Sequence, residues 1–291
     1  MVALSFGPAM DVTQECVRRR FRHASCRACA DVCPAQVFSF SDTGVLIEES
    51  LCIECSDCLF VCPTEAITGI APRKRFRLGD TLVGPFTARA PTIDELLLWH
   101  AVFGVRCISL EAEQYPGWMM ALAGLNLALR RRGEAVWGFR SRQKCEVNAA
   151  RRALIHIPQE EVTACAVPQG KRMQRKAFPG ISESDIVVDA GKCALCGACW
   201  RSCTENAIRF EQNTLVIEAA RCTGCGACEA VCQHGSLTVA NKEAQATITT
   251  HPALAATCTA CHRPFWSFHP EQKQCALCLH HPHGMRNPDC C

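Results

Sequence analysis

The sequence predicts an α+β chain in which two copies of one small cysteine-bound module, at 15–70 and 185–240, flank a small α/β domain at 72–178. A short cysteine-paired segment follows at 252–291. Three observations predict this. Cysteine runs recur at a fixed offset, helix and strand patterns alternate between the two copies, and two Cys-x2-Cys pairs follow the second copy.

The repeat comes first. Cys52, Cys55, Cys58 and Cys62 form a complete run closed by Pro63; Cys193, Cys196, Cys199 and Cys203 form a second, and Cys222, Cys225, Cys228 and Cys232 a third. Adding 170 to Cys26, Cys29, Cys33, Cys52, Cys55, Cys58 and Cys62 gives Cys196, Cys199, Cys203, Cys222, Cys225, Cys228 and Cys232, and adding it to His23 gives Cys193. His23 therefore occupies a ligand slot. After the fourth cysteine of each first run, Ala35–Phe40 and Asn206–Phe210 read as short strands, and Val45–Glu48 and Leu215–Glu218 as their hairpin partners. A module of about 55 residues buries little apolar surface, so bound metal has to supply part of its folding free energy.

Both modules resemble bacterial two-cluster ferredoxins, which hold [4Fe–4S] cubanes; the likeness covers 15–70 and 185–240. The resemblance implies that the fourth cysteine of each run serves the other run's cluster. One cluster then takes His23, Cys26, Cys29 and Cys62, and its neighbour Cys33, Cys52, Cys55 and Cys58. In the second copy the sets are Cys193, Cys196, Cys199 and Cys232, and Cys203, Cys222, Cys225 and Cys228. Thr204 and Gln233 replace the family's proline after the fourth cysteine, which loosens a turn and removes no ligand. Zinc ribbons use paired Cys-x2-Cys units rather than such triplets. Three readings of the first slot stand: His23 ligates iron, Cys16 folds back to fill the slot, or one cluster corner is open, as in a three-iron cluster.

Between the copies, Pro91–Phe103 reads as a helix with Thr92 as N-cap, Val105–Leu110 as a buried strand, Pro116–Arg132 as a helix ended by Gly133, and Ala135–Phe139 as a strand. This order predicts parallel strands. Cys107, Cys145 and Cys165 lack ligand spacing; Cys107 reads as a buried strand residue, and Trp99 and His100 as core or surface. No glycine-rich phosphate fingerprint and no catalytic constellation is present. Residues 73–176 hold 18 Lys and Arg against 9 Asp and Glu, a net of +9; the whole chain is +3, so the remainder sums to −6 and is acidic. Arg73–Arg77 and Arg130–Arg132 read as solvated faces, or as docking sites for an acidic protein or nucleic acid.

At the C-terminal end, Cys258 and Cys261, then Cys275 and Cys278 after 13 intervening residues, resemble a zinc ribbon, a closed tetrahedral and structural site. Phe265 and Trp266 are placed to cover the metal; a rubredoxin-like iron and a fifth cluster are the alternatives. The tail, with His280, His281, His283, Cys290 and Cys291, reads as a flexible end.

The totals agree. Twenty-five cysteines in 291 residues, mostly in tight spacings, suit iron rather than a disulfide framework. No apolar run is long enough to span a membrane, and the N-terminus lacks a cleavable signal, so the expected location is cytoplasmic. The reading is an electron-transfer polyferredoxin with four [4Fe–4S] clusters and one Zn2+, lacking a substrate site of its own. It resembles the subunits that accompany molybdenum or tungsten oxidoreductases, formate dehydrogenases and hydrogenases. The rivals are a maturation or scaffold protein and an iron–sulfur regulator that binds nucleic acid.

Overall fold

A computed structural model describes residues 9–41, 44–141 and 161–280. Cys145 and the tail beyond His280 lie outside the described residues. The chain divides into two compact units. Of the described residues, the first holds 9–13, 27–40, 45–141 and 161–178; the second holds 14–26, 41, 44 and 179–280.

The first unit contains a five-stranded sheet of β1 (Arg75–Leu78), β2 (Thr81–Val83), β3 (Cys107–Leu110), β4 (Gly138–Ser141) and β5 (Thr163–Cys165), in the order β4-β3-β2-β1-β5. Strands β2, β3 and β4 are parallel, as the helix–strand alternation predicts. The flanking β1 and β5 are antiparallel additions. Two helices, α1 (Ile93–Phe103) and α2 (Pro116–Arg131), make the crossovers. The Thr92 hydroxyl caps α1 by accepting the Glu95 N–H at 3.2 Å. Apolar residues from all of these elements converge: Leu82, Leu96–Trp99, Ile108, Leu110, Trp118, Leu125 and Leu129 are almost wholly buried. The third helix, α3 (Lys171–Ala177), is tied to α1 by Lys171 and Gln174, both 3.0 Å from Asp94.

Arg75 lies inside this core and not on a solvated face. It meets Glu95 through two hydrogen bonds, of 2.5 and 3.0 Å, with Glu95 fully buried. Trp99 donates to the same carboxylate at 3.2 Å, and the guanidinium lies over the Trp118 ring. His100 is also buried: its Nδ1 accepts from Trp137 at 3.1 Å and its Nε2 faces Glu134 at 3.3 Å.

Each ferredoxin-like copy is closed by an antiparallel pair of outer strands. In the first, Val12 pairs with Ile67; in the second, Val188 pairs with Leu237. Ile67 and Leu237 differ by 170 but Val12 and Val188 by 176, so the first copy carries six extra residues ahead of His23. The short helix Val17–Arg20 lies in this stretch, and Val17 and Ala24 pack on Ala227 in the second unit.

In the second copy Ile208–Glu211 and Thr214–Glu218 form the predicted hairpin, extended by Ile248–Pro252 as a third strand. A further hairpin, Leu254–Thr257 with Pro264–Ser267, carries Cys258 and Cys261 in its turn, and Cys275 and Cys278 follow it. No helix among the described residues is long and apolar enough to cross a membrane.

Candidate metal centres

The cysteine runs share a backbone device. Residues two and four places after the first cysteine adopt left-handed conformations in all three complete runs: Glu54 and Ser56, Leu195 and Gly197, Gly224 and Gly226. This turn carries the chain around a central hollow and points N–H groups inward: Glu54 donates to the Cys52 sulfur at 3.4 Å and Gly224 to that of Cys222 at 3.3 Å. A second turn follows each fourth cysteine, with a left-handed residue three places on at Gln36, Glu65, Asn206 and Gly235. The next N–H donates back to the sulfur: Val37 to Cys33 (3.4 Å), Ala66 to Cys62, Ala207 to Cys203 and Ser236 to Cys232 (each 3.3 Å). Thr204 and Gln233, which replace the proline, leave this turn in place.

Three hollows result. Cys33, Cys52, Cys55 and Cys58 line one with Val37, Phe38 and Ile53, enclosing about 300 Å³ of atom-free space. Cys193, Cys196, Cys199 and Cys232 line another of about 370 Å³, walled by Leu195, Trp200 and Leu215. Cys203, Cys222, Cys225 and Cys228 line the third, of about 330 Å³, with Ile186, Ala207 and Ile208. Each set mixes three cysteines of one run with the fourth of another.

Electrostatics give these thiols a need for a cation. Burial, then the neighbouring Cys55, Cys33 and Cys52, push Cys58 up to about 12. Burial and then Cys193, with further pushes from Cys196 and Cys232, raise Cys199 to about 12 as well. Burial first and then Cys222, Cys225 and Cys203 drive Cys228 upward. Four thiols gathered this closely, most of them partly buried, cannot all ionise beside an apolar hollow unless positive charge sits among them. Cys232 runs the other way: hydrogen bonds from Ser236 and nearby backbone N–H groups outweigh its burial and hold it below its ordinary value. Small apolar hollows with four converging thiols and inward N–H groups fit an iron–sulfur cluster.

The fourth expected set differs. His23 and Cys26 belong to the second unit, Cys29 and Cys62 to the first. Arg27 has φ −128°, where its counterparts Gly197 and Gly226 are left-handed, and Ser25 is not left-handed either. The loop after His23 thus lacks the tight turn of the three cysteine-led runs. His23 lines an open cleft with Ser25, Gly226, Glu229 and Gln233, while Cys29 lies near enough to Cys58 to raise its thiol.

The C-terminal cysteines gather tightly. The sulfurs of Cys258, Cys261, Cys275 and Cys278 all lie within 4.8 Å of one another, with Cys261 and Cys275 at 3.9 Å. A tetrahedral zinc with bonds of about 2.3 Å sets its sulfurs about 3.8 Å apart, so the set fits one ion. Cys258 is held at about 6: burial pushes it up, but N–H groups of Cys261, Cys275 and Ala260 outweigh that. Burial and the three neighbouring thiols drive Cys278 up to about 12. Trp266 packs at 5.7 Å on Phe210, which stacks on Trp200 at 5.3 Å. The hairpin is thereby joined to the wall of the Cys193 hollow.

Two matches to the 4Fe-4S dicluster domain cover residues 24–67 and 192–236. YsaA of Escherichia coli (strain K12), an electron transport protein by name, is 31% identical over 80 residues. The similarity takes in 28% of this chain and 42% of that protein, so the chain spans less than half the length of this relative. The chain carries two 4Fe–4S dicluster ferredoxin domains and a four-cysteine cluster near its C-terminus.

Proposed function

We propose that two dicluster domains in one chain make an electron carrier, a polyferredoxin with four [4Fe–4S] clusters. The supporting observation is that three sets of four cysteines, exchanged between runs, converge on apolar hollows. When bound, the clusters supply one-electron storage. The chain's own residues hold, bury and electrostatically bias them. The fourth set is His23, Cys26, Cys29 and Cys62. An imidazole nitrogen stands farther from its Cα than a thiolate sulfur, so a histidine-led loop needs no tight turn, which favours His23 over Cys16 or an open corner. The C-terminal cysteines hold one structural zinc.

The substrate belongs to a partner: a redox enzyme of the molybdenum or tungsten oxidoreductase, formate dehydrogenase or hydrogenase type, in the cytoplasm. Exposed Arg130 and Arg131 at the end of α2 are the docking charges we favour on the α/β domain. Repeated reduction and reoxidation beside an apo-acceptor tests the role. A carrier keeps its iron through the cycles. Iron passing to the acceptor would make the chain an assembly scaffold instead.

A further inference from the structure

Asp57 opens the helix Asp57–Val61 between Cys55 and Cys58, with its side chain only 2% exposed. Its counterpart 170 residues on is Ala227, so the second copy has no carboxylate at this point. An anion buried among thiolate ligands needs a cationic partner. Arg89, on the loop between β2 and α1, supplies it: Nε and Nη2 lie 2.8 and 2.7 Å from Asp57 Oδ2. The same guanidinium donates to the carbonyl of Val32, 3.5 Å away and next to Cys33. One side chain of the α/β domain thus joins the segments that carry Cys33, Cys55 and Cys58.

We propose that Arg89 sets the reduction potential of the cluster held by Cys33, Cys52, Cys55 and Cys58, keeping it above the value that Asp57 alone would impose. The inference rests on the four-cluster reading. Reduction adds one negative charge to the cluster, so a nearby anion opposes it and a nearby cation favours it. With Arg89 in place the pair is neutral; without it Asp57 is a bare buried anion beside the cluster. The inserted domain then makes the two copies electrochemically unlike.

Potentiometric titration of the full chain, followed by electron paramagnetic resonance with iron and sulfide counted on the same samples, tests this. Arg89→Gln should move one reduction step to more negative potential and leave the others in place. Arg89→Lys, which keeps the charge, should move it far less. Asp57→Asn should move the same step the opposite way, and it carries the test by itself if Arg89→Gln does not load the cluster. Full iron with no step moved in the loaded variants overturns the inference and leaves the carrier reading standing. So do equal shifts from Arg89→Lys and Arg89→Gln, since charge would not then be the cause. Half the expected iron in the unaltered chain defeats the four-cluster reading instead.

Discussion

His23 stands where Cys193 stands in the second copy, and in the proposed ligand set the exchange removes a negative charge. A neutral imidazole in place of a thiolate makes a cluster easier to reduce, as histidine ligands do in Rieske centres; Arg22 and Arg27 beside it push the same way. His23→Cys should therefore keep all its iron and lower the highest of the potentials, whereas His23→Ala should make one iron labile. If His23→Ala changes neither spectrum nor potential, Cys16→Ser is the mutant to make. His100 gives a second residue-scale prediction. Burial first, then Arg106, holds its pKa below the ordinary value, against the pull of Glu134. The unfolded chain therefore takes up a proton at higher pH than the folded one, and stability falls as pH drops below about 6.5, by at most about 1.4 kcal/mol per pH unit. The melting temperature of the α/β domain should fall over that range, and His100→Gln should flatten the dependence. The cysteine runs were legible because their spacing is local. Arg75 was not: within Arg73–Arg77 it reads as one of a run of solvated charges, and only the fold brings Glu95, 20 residues on, against it.

Helices α1 and α2 could be read from their capping residue, their opening proline and their apolar content, because these signals lie within the element itself. Strands β1 and β5 could not, since a strand of three or four residues is fixed by its neighbour's edge rather than by its own sequence. The offset arithmetic matched His23 and the cysteine runs between the copies but hid the six extra residues ahead of His23, because cysteine spacing alone does not report strand pairing. Two predictions belong at this scale. Glu95→Gln leaves Arg75 buried without its counter-ion, and should cost the α/β domain about 3–5 kcal/mol in denaturant unfolding. Chelating the ion at Cys258, Cys261, Cys275 and Cys278 should open the last ~40 residues to protease while iron stays bound, because a small metal site supplies the folding free energy of its own segment, about 10 kcal/mol or more. Protease resistance unchanged by chelation would mean that packing such as Trp266 on Phe210 holds the hairpin unaided.

Across the whole molecule, the duplication and the exchange of fourth cysteines between runs followed from spacing and from the family likeness. The grouping of Gln14–Cys26 with the second unit did not, because the Val17 and Ala24 contact with Ala227 is tertiary and spans 200 residues of sequence. Charge at this scale predicts docking. Arg130→Glu with Arg131→Glu should slow association with an acidic redox partner and flatten its salt dependence, with the clusters intact. Arg132 is left unaltered because its guanidinium lies over Phe178. Rates unchanged across ionic strength would return those arginines to a solvated face. The most direct test of the four-cluster carrier is an anaerobic reductive titration of chain whose iron has been counted. The account predicts about four electrons taken up per chain, on about sixteen irons with matching sulfide. Two electrons on about eight irons would contradict it.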